Sequence, residues 1–269
     1  MRDVIIVGGG LFGSIAAAAL RAAGMDVCLI DDGRPLSGSR AAGCLMKPSW
    51  LGKMGKSNVS ASFQLLDRLY GLRTVYLKAG PLTVDAEWVN PDRVLGTDRI
   101  ARKIAKVSTF PGGNRVRFAP DLNHMDAKTV IVACGAWTRE LITGTPVVGK
   151  VGVSVRLNKP PEDNRISVWA PYKQLVRFAV PDEGFYWAGD GTAILEKRWT
   201  PERFQASRER IESFAGAGNA RAGIRPFTAT DQPASLEEIA PGLFSLTGGG
   251  KNGTAAAGWA ATQLLERLT

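Results

Sequence analysis

The chain has 269 residues, of which 34 are basic and 25 acidic, so its net charge is +9. Its three cysteines are odd in number and widely spaced, which excludes a disulfide framework and a cysteine metal motif. The one histidine, His124, is predicted to lie in a surface turn and leaves little room for a histidine-based triad or zinc site. No metal is expected, and any reactivity is expected to come from a cofactor.

The amino-terminal segment predicts a βαβ unit that binds a dinucleotide. A strand at 4–7 leads into the glycine turn Gly8–Gly13, an alanine-rich helix follows, and a second strand at 27–30 ends on Asp31 and Asp32. In this fingerprint the first glycine permits the tight turn, the second lets the backbone approach a pyrophosphate, and the third lets the helix pack closely. Asp31 is expected to bind ribose hydroxyls, which disfavours NADP but does not separate NAD from FAD.

The next segment, residues 46–78, is strongly basic. It holds six lysines and arginines but only one acidic residue, Asp67. This excess favours a polyanionic partner, nucleic acid above all, but a solvated lysine-rich surface without a partner explains it equally well. The alternatives stay open at this point.

Several further elements follow from periodicity and capping signals. Helices are predicted over Ser60–Tyr70 and, as a short basic helix, over Asp98–Lys106, with a buried strand at 130–133. Thr200 and Pro201 are typical of a helix N-cap and first helical position. A last helix is predicted from Thr254 to Leu268. No apolar run is long enough to span a bilayer, and no targeting signal precedes the first strand, so a cytoplasmic location is expected.

Five later segments carry a family resemblance. They are, in chain order, SRAAGCL (39–45), DAEWVNP (85–91), TVIVACGAWT (129–138), AGIRP (222–226) and GLFSLTGGGKNGT (242–254). Together with the first βαβ unit they resemble the FAD-dependent D-amino-acid oxidase superfamily, and within it glycine oxidase and its relatives. The resemblance implies FAD as the cofactor.

The same resemblance implies an α/β fold. It consists of a Rossmann-like FAD-binding domain of the glutathione-reductase type and a reduced substrate domain built on an antiparallel sheet. The FAD-binding domain is expected to be discontinuous, over residues 1–45, 92–150 and 222–269, and the substrate domain covers 46–91 and 151–221. The chain is shorter than typical members, which predicts a trimmed substrate half and an open site.

The fingerprint and the resemblance together predict the cofactor-binding residues. In the last segment, the N–H groups of Gly253 and Thr254 at a helix start are expected to face the pyrimidine oxygen of the flavin. The full predicted set is Gly8, Gly10, Leu11, Phe12, Gly13, Asp31, Asp32, Ser39, Arg40, Gly43, Cys44, Leu45, Val107, Ala133, Gly135, Trp137, Gly249, Gly250, Asn252, Gly253 and Thr254.

Four residues are predicted on the substrate side. The resemblance makes Arg225 the side chain that grips a substrate carboxylate, as a guanidinium offers two parallel donors; an ordinary salt-bridging arginine is the alternative. Lys251 stands where relatives often have a second arginine, and its role can equally be structural. The family's substrate tyrosine is absent at the matching place, where Trp169 could stack on a base or be a buried sheet residue, and Tyr172 is displaced.

These features predict oxidation of a carbon–nitrogen bond, in which a hydride passes to flavin N5 and water hydrolyses the resulting imine. The first hypothesis is a glycyl adduct on a nucleic-acid base, which would yield glyoxylate and an aminomethyl base. Related functions are known for the FAD domain of the tRNA wobble-uridine modification enzyme and for flavoproteins of phage DNA thymine hypermodification, where the location would be the host cytoplasm. The alternatives are a free glycine, sarcosine or D-amino-acid oxidase or dehydrogenase, and a flavin-binding assembly subunit without activity.

Overall fold

The computed structural model describes residues 1–48, 51, 54–79, 82–157, 166–170, 175–180, 185–189, 191–228 and 234–269. Its strands are β1 (Arg2–Val7), β2 (Val27–Asp31), β3 (Leu45–Met46), β4 (Arg73–Ala79), β5 (Leu82–Trp88), β6 (Ile100–Ala101), β7 (Lys103–Phe110), β8 (Gly113–Ala119), β9 (His124–Val132), β10 (Val147–Leu157), β11 (Ile166–Ala170), β12 (Leu175–Val180), β13 (Phe185–Gly189), β14 (Ile194–Leu195), β15 (Gly218–Thr228), β16 (Ala234–Ala240) and β17 (Leu243–Gly248). Its helices are α1 (Leu11–Ala22), α2 (Lys56–Tyr70), α3 (Pro91–Leu95), α4 (Thr138–Leu141), α5 (Pro201–Ala215) and α6 (Gly253–Leu268).

The first sheet has the strand order β16-β17-β9-β1-β2-β6. Adjacent strands in this order are parallel, except that β16 is antiparallel to β17. Strands β7 and β8 form a hairpin, and β8 pairs with β9. Because β1 is central and buried on both faces, its residues from Val4 to Val7 form a continuous apolar run. Helices α1, α2 and α6 contribute to the apolar core on one face, and β7 and β8 contribute to the core on the other.

The second sheet has the strand order β14-β10-β13-β12-β11-β4-β5-β3, and β15 also pairs with β10. The pairing of β10 with β15 is antiparallel and continuous from Val147 opposite Thr228 to Leu157 opposite Gly218. Helix α5 covers β10 through a small core that includes Val153, Val155 and Ile211. The long β10–β15 ladder therefore anchors this sheet.

The two sheets meet where β15 crosses the loop that follows β2. The N–H of Ile224 donates to the carbonyl of Leu36 over 2.8 Å, and Ser37 forms a parallel bridge with Ile224. A Cβ on Gly38 would lie 2.4 Å from the carbonyl oxygen of Ile224, so only glycine permits this approach. The contact places Arg225, the next residue on β15, beside the loop from the dinucleotide-binding unit.

The fold confirms the predicted class, an α/β protein with a parallel FAD-type sheet and a largely antiparallel second sheet. The predicted helix at Ser60–Tyr70 is confirmed and begins earlier, at Lys56, and the last helix begins at Gly253. The N-cap at Thr200 is confirmed, since its hydroxyl accepts the N–H of Arg203 over 3.4 Å.

Two predicted elements are wrong. The segment predicted as a basic helix, Asp98–Lys106, forms β6 and the start of β7, because Ile100 pairs with Ile30 and Ile104 with Phe118. Strand pairing thus overrides local helix propensity. His124 does not lie in a turn but opens β9, where its side chain is exposed.

The predicted division into two domains stays a prediction. Its boundary at 222 falls inside β15, and its boundary at 150 falls inside β10. Among the described helices, none has the length and apolar character needed to cross a bilayer.

Candidate active site

A cavity of about 580 Å³ lies between the two sheets. This volume falls in the range of small-molecule and cofactor pockets. One end is formed by the glycine turn between β1 and α1 and by the residues after β2. The other end is formed by β15, and the turn between β17 and α6 lies beside the start of α1, since a Cβ on Gly249 would lie 2.8 Å from the ring of Phe12.

The glycine turn is built from close backbone contacts. Gly8 has a φ of +107°, and a Cβ there would lie 2.5 Å from the carbonyl oxygen of Ala133, which directly follows β9. A Cβ on Gly13 would lie 1.8 Å from the carbonyl oxygen of Gly8. The hydroxyl of Ser39 accepts the N–H of Leu11 over 2.8 Å, which ties the start of α1 to the loop after β2.

Two carboxylates lie at the end of β2, and each is paired with an arginine. Asp31 lies 3.3 Å from the guanidinium of Arg99. Asp32 accepts from Arg34 over 2.7 Å, and the guanidinium of Arg34 also contacts Glu140 over 2.6 Å. These pairs hold the acidic residues at the rim of the cavity.

The end of β17 and the turn after it form a run of glycines with a left-handed backbone. Gly248, Gly249 and Gly250 have φ values of 103°, 91° and 46°. A Cβ on Gly249 would lie 2.8 Å from the ring of Phe12, and a Cβ on Gly250 would lie 2.8 Å from the ring of Phe227. The backbone therefore passes close to two aromatic rings, and α6 begins directly after it, at the cavity.

The start of α6 faces the cavity at Gly253 and Thr254. Its first turn holds no acidic residue, and the side chain of its N-cap residue, Asn252, accepts no capping hydrogen bond. A helix start of this kind presents backbone N–H groups and a partial positive charge to a negatively charged ligand.

Two thiols line the middle of the cavity. Burial is the largest influence on Cys44 and Cys134, and it raises the pKa of each thiol to about 12. Both therefore stay neutral near pH 7, and neither has the thiolate character of a nucleophilic cysteine.

Arg225 and Lys251 bring positive charge to the other end. The guanidinium of Arg225 donates to the carbonyl of Thr192 over 2.6 Å and occupies the space above Gly152, where a Cβ would lie 2.4 Å from it. Lys150, opposite Arg225 on β10, lies with its ammonium 4.6 Å from the ring centroid of Phe227. Partial burial, followed by the charges of Arg225 and Lys150, lowers the pKa of Lys251.

The structure brings most of the predicted site residues to this one cavity. Three residues of the predicted cofactor set, Gly13, Gly249 and Val107, do not line the cavity. Val107 is buried in the core beside the first sheet, and Ile104 is the residue of β7 that lines the cavity. The lining residues of the set are Gly8, Gly10, Leu11, Phe12, Asp31, Asp32, Ser39, Arg40, Gly43, Cys44, Leu45, Ala133, Gly135, Trp137, Gly250, Asn252, Gly253 and Thr254, with Arg225 and Lys251 from the substrate set.

The other substrate-side predictions are not settled by position. Trp169 lies on β11, whose backbone alone is described, and Tyr172 lies outside the described residues. Trp187 of β13 lines the cavity and was missed, because no motif marks it and only the sheet pairing brings it there. Arg34 was also missed, although its place just after Asp31 and Asp32 was a usable signal.

The residues of this cavity fit FAD. Two helix starts, those of α1 and α6, lie side by side on its lining, since a Cβ on Gly253 would lie 3.9 Å from Leu11, and the glycines of both turns add no side chain to the cavity. The glycine turn and the start of α1 are suited to a diphosphate, Asp31 would then be placed for the ribose, and the turn before α6 is suited to the flavin ring.

Known proteins support this assignment. No curated protein matches the chain in sequence. Solved structures with the same fold include iminodiacetate oxidase from Chelativorans sp. (16% identity, 97% of this chain and 94% of that chain, TM-score 0.74) and glycine oxidase from Bacillus cereus (15%, 100% and 95%, 0.73). An L-amino acid deaminase from Proteus vulgaris is similar too (14%, 100% and 90%, 0.77). The model of the DAO family, described as FAD dependent oxidoreductase, matches residues 3–88 and 85–267, so this chain belongs to that family.

Proposed function

We propose that the protein oxidises the carbon–nitrogen bond of a glycine-like amine whose carboxylate is held by Arg225. The observation that carries this proposal is that Arg225 lines the same cavity as the glycine turn. A guanidinium can grip both oxygens of a carboxylate, which orients the neighbouring carbon.

When bound, FAD supplies a two-electron acceptor for this oxidation. The chain supplies position and charge. Arg225 is held by Thr192 and has its space kept open by Gly152, so its guanidinium is fixed before a substrate arrives. The start of α6 gives a partial positive charge that stabilises negative charge on a ligand at this end.

The finer proposal is that the amine is a glycyl group carried on a nucleic-acid base, of the kind found in phage thymine hypermodification. Loss of a hydride from the glycyl carbon followed by addition of one water would leave an aminomethyl base and release glyoxylate. Support comes from the basic segment 46–78. Lys56 and Arg68 of α2 are exposed and form no ion pair with any residue that the structure describes.

A free small amino acid is the second candidate. The observation that favours it is the fold shared with a glycine oxidase and an iminodiacetate oxidase, both named for small free amines. The aligned spans leave at most 10% of the three compared chains uncovered, so the expected trimming of the substrate half is not the loss of a terminal domain. An open site therefore requires shorter connections within the chain.

The deciding experiment is anaerobic bleaching of the bound flavin. Free glycine, sarcosine and iminodiacetate are compared with an oligonucleotide that carries a glycylated thymine. Faster bleaching by the oligonucleotide supports the adduct, and faster bleaching by a free amine supports the second candidate. Bleaching by none of them contradicts both and favours a subunit without activity.

Binding gives an independent test of the nucleic-acid partner. Affinity for the oligonucleotide should fall steeply with salt, because each phosphate contact releases counterions. The variant K56E/R68E should weaken binding, whereas K103E/K106E, which changes the same charge on the exposed part of β7, should not. Equal losses in both variants would contradict a site on α2.

A further inference from the structure

The middle glycine of the turn, Gly9, is unexplained by the dinucleotide fingerprint, which leaves that position free. A Cβ on Gly9 would lie 2.6 Å from Nη1 of Arg99 and 2.9 Å from Cβ of Asp31. Glycine at this position therefore leaves the space in which the guanidinium of an arginine from a distant segment lies against the turn.

Arg99 reaches the turn from the short connection between α3 and β6. Its Nη1 donates to the carbonyl oxygen of Gly9 over 2.7 Å and lies 3.3 Å from Oδ2 of Asp31. Its Nη2 donates to the carbonyl oxygen of Leu95 at the end of α3, and its Nε donates to that of Thr97 over 3.2 Å. One guanidinium thus links the glycine turn, the acid at the end of β2 and the end of a helix.

The pairing of β6 with β2 positions Arg99 beside the glycine turn. Ile100 lies opposite Ile30 and Ala101 opposite Asp31, so the residue before the strand is placed beside the turn. The side chains of Arg99 and Asp31 are only 22% and 21% exposed, which protects their interaction from solvent screening. The ion pair is therefore a fixed part of the fold.

Arg99 also lines a second cavity of about 260 Å³. Gly9, Asp31, Ser37 and Arg40 line both this cavity and the main one, so the two are adjacent at the ribose-binding end. An unpaired carboxylate would repel a nearby diphosphate. A carboxylate paired with a guanidinium can accept a hydrogen bond from a ribose hydroxyl with less of this repulsion.

We propose that Arg99 is a positioning residue for the cofactor, one that fixes Asp31 and the glycine turn in the arrangement that binds the adenosine half of FAD. This proposal requires only that the cofactor is FAD, as family membership indicates, and it holds whichever amine is the substrate. It predicts an effect on the affinity for adenosine-containing ligands.

The test measures the dissociation constants of FAD and ADP for the apoprotein, by flavin fluorescence and by calorimetry. R99A should weaken both by a similar factor, about tenfold to a hundredfold, because it removes charged hydrogen bonds to Gly9 and Asp31. R99K, which keeps one donor, should fall in between. R102A is the matched control, because Arg102 is exposed and bonded to Asp121, and it should leave both constants unchanged.

A double-mutant cycle separates positioning from general destabilisation. If Arg99 acts through Asp31, R99A in a D31N background should weaken FAD binding less than in the native protein. G9A should reproduce the loss with Arg99 still present. Thermal unfolding of the apoprotein tells a positioning role from general destabilisation. If Arg99 acts by positioning, R99K should unfold at the same temperature as the native protein although it binds FAD more weakly. An R99A affinity within twofold of native, or a loss for FAD without a loss for ADP, would overturn the proposal.

Discussion

The two ends of the cavity present different groups, mainly backbone at one end and charged side chains at the other. The dinucleotide end consists of backbone, with Gly8 and Gly13 packed against carbonyl oxygens and the carboxylate of Asp31 fixed by one arginine. The substrate end adds two long cationic side chains, Arg225 and Lys251, which reach the cavity from β15 and from the turn before α6. We therefore expect the glycines of the first end to tolerate almost no substitution, whereas Arg225 and Lys251 should be replaceable without loss of the fold.

This difference separates binding of the cofactor from choice of the substrate. Backbone contacts within one βαβ unit fix a ligand common to a family. Side chains that project from an antiparallel ladder can change the charge and size of the site while the ladder stays intact. Variants at the two ends should accordingly fail in different measurements.

Gly13→Ala should have the largest effect. The new Cβ would lie 1.8 Å from the carbonyl oxygen of Gly8, and neither backbone can move without shifting α1 from β1. We expect purified protein without FAD and a free energy of unfolding lower by about 1–3 kcal/mol, measured by the flavin spectrum and by chemical denaturation. The control is Gly24→Ala, where no atom lies within 4 Å and only the left-handed backbone is strained. Its protein should retain FAD, and loss of FAD in both variants would contradict the steric explanation.

Arg225→Ala should retain FAD and lose activity toward carboxylate-bearing amines. Removal of a guanidinium that pairs with a buried carboxylate should lower kcat/KM by about a hundredfold or more, measured by anaerobic flavin reduction. Arg225→Lys keeps the charge but loses the two-pronged geometry, so it should be intermediate. Arg221→Ala, an exposed change on the same strand, is the control. Unchanged turnover in Arg225→Ala would contradict the role of Arg225 in holding the carboxylate.

The contrast also explains what the sequence predicts. The order strand, glycine turn, helix, strand and acid lies within 32 consecutive residues, so spacing alone predicts one site for them. Arg99 is 68 positions from Asp31 and is aimed by β6, which local propensity predicts as helix, so the Arg99–Asp31 pair has no local signal. Arg225 was predicted through a family resemblance, but the space that Gly152 provides for it follows only from the β10–β15 register.

Gly152→Ala should disturb the substrate end without touching the cofactor. Its Cβ would lie 2.4 Å from the guanidinium of Arg225, whose flexible side chain can move away. We therefore expect KM for the amine to rise about tenfold, since small misplacements are costly, with FAD content unchanged. In an Arg225→Ala background the same change should have no further effect on KM. Additive losses in the double variant would show that Gly152 acts through another group.

Lys251 should give the smallest effect, a pH dependence of a few-fold in KM. Partial burial and the charges of Arg225 and Lys150 lower its pKa, so its ammonium loses its proton at a lower pH than an ordinary lysine. The KM for a carboxylate should consequently rise as the pH increases through that lowered pKa, and Lys251→Arg should flatten the profile because arginine stays charged. Since the folded state holds this proton less tightly than the unfolded chain, the lysine's contribution to stability should increase with pH over the same window. Arg225→Ala removes one of the two neighbouring charges and should move the transition to higher pH, whereas Arg221→Ala should leave it in place. A profile that is identical in native protein and Lys251→Arg would place Lys251 outside the substrate site.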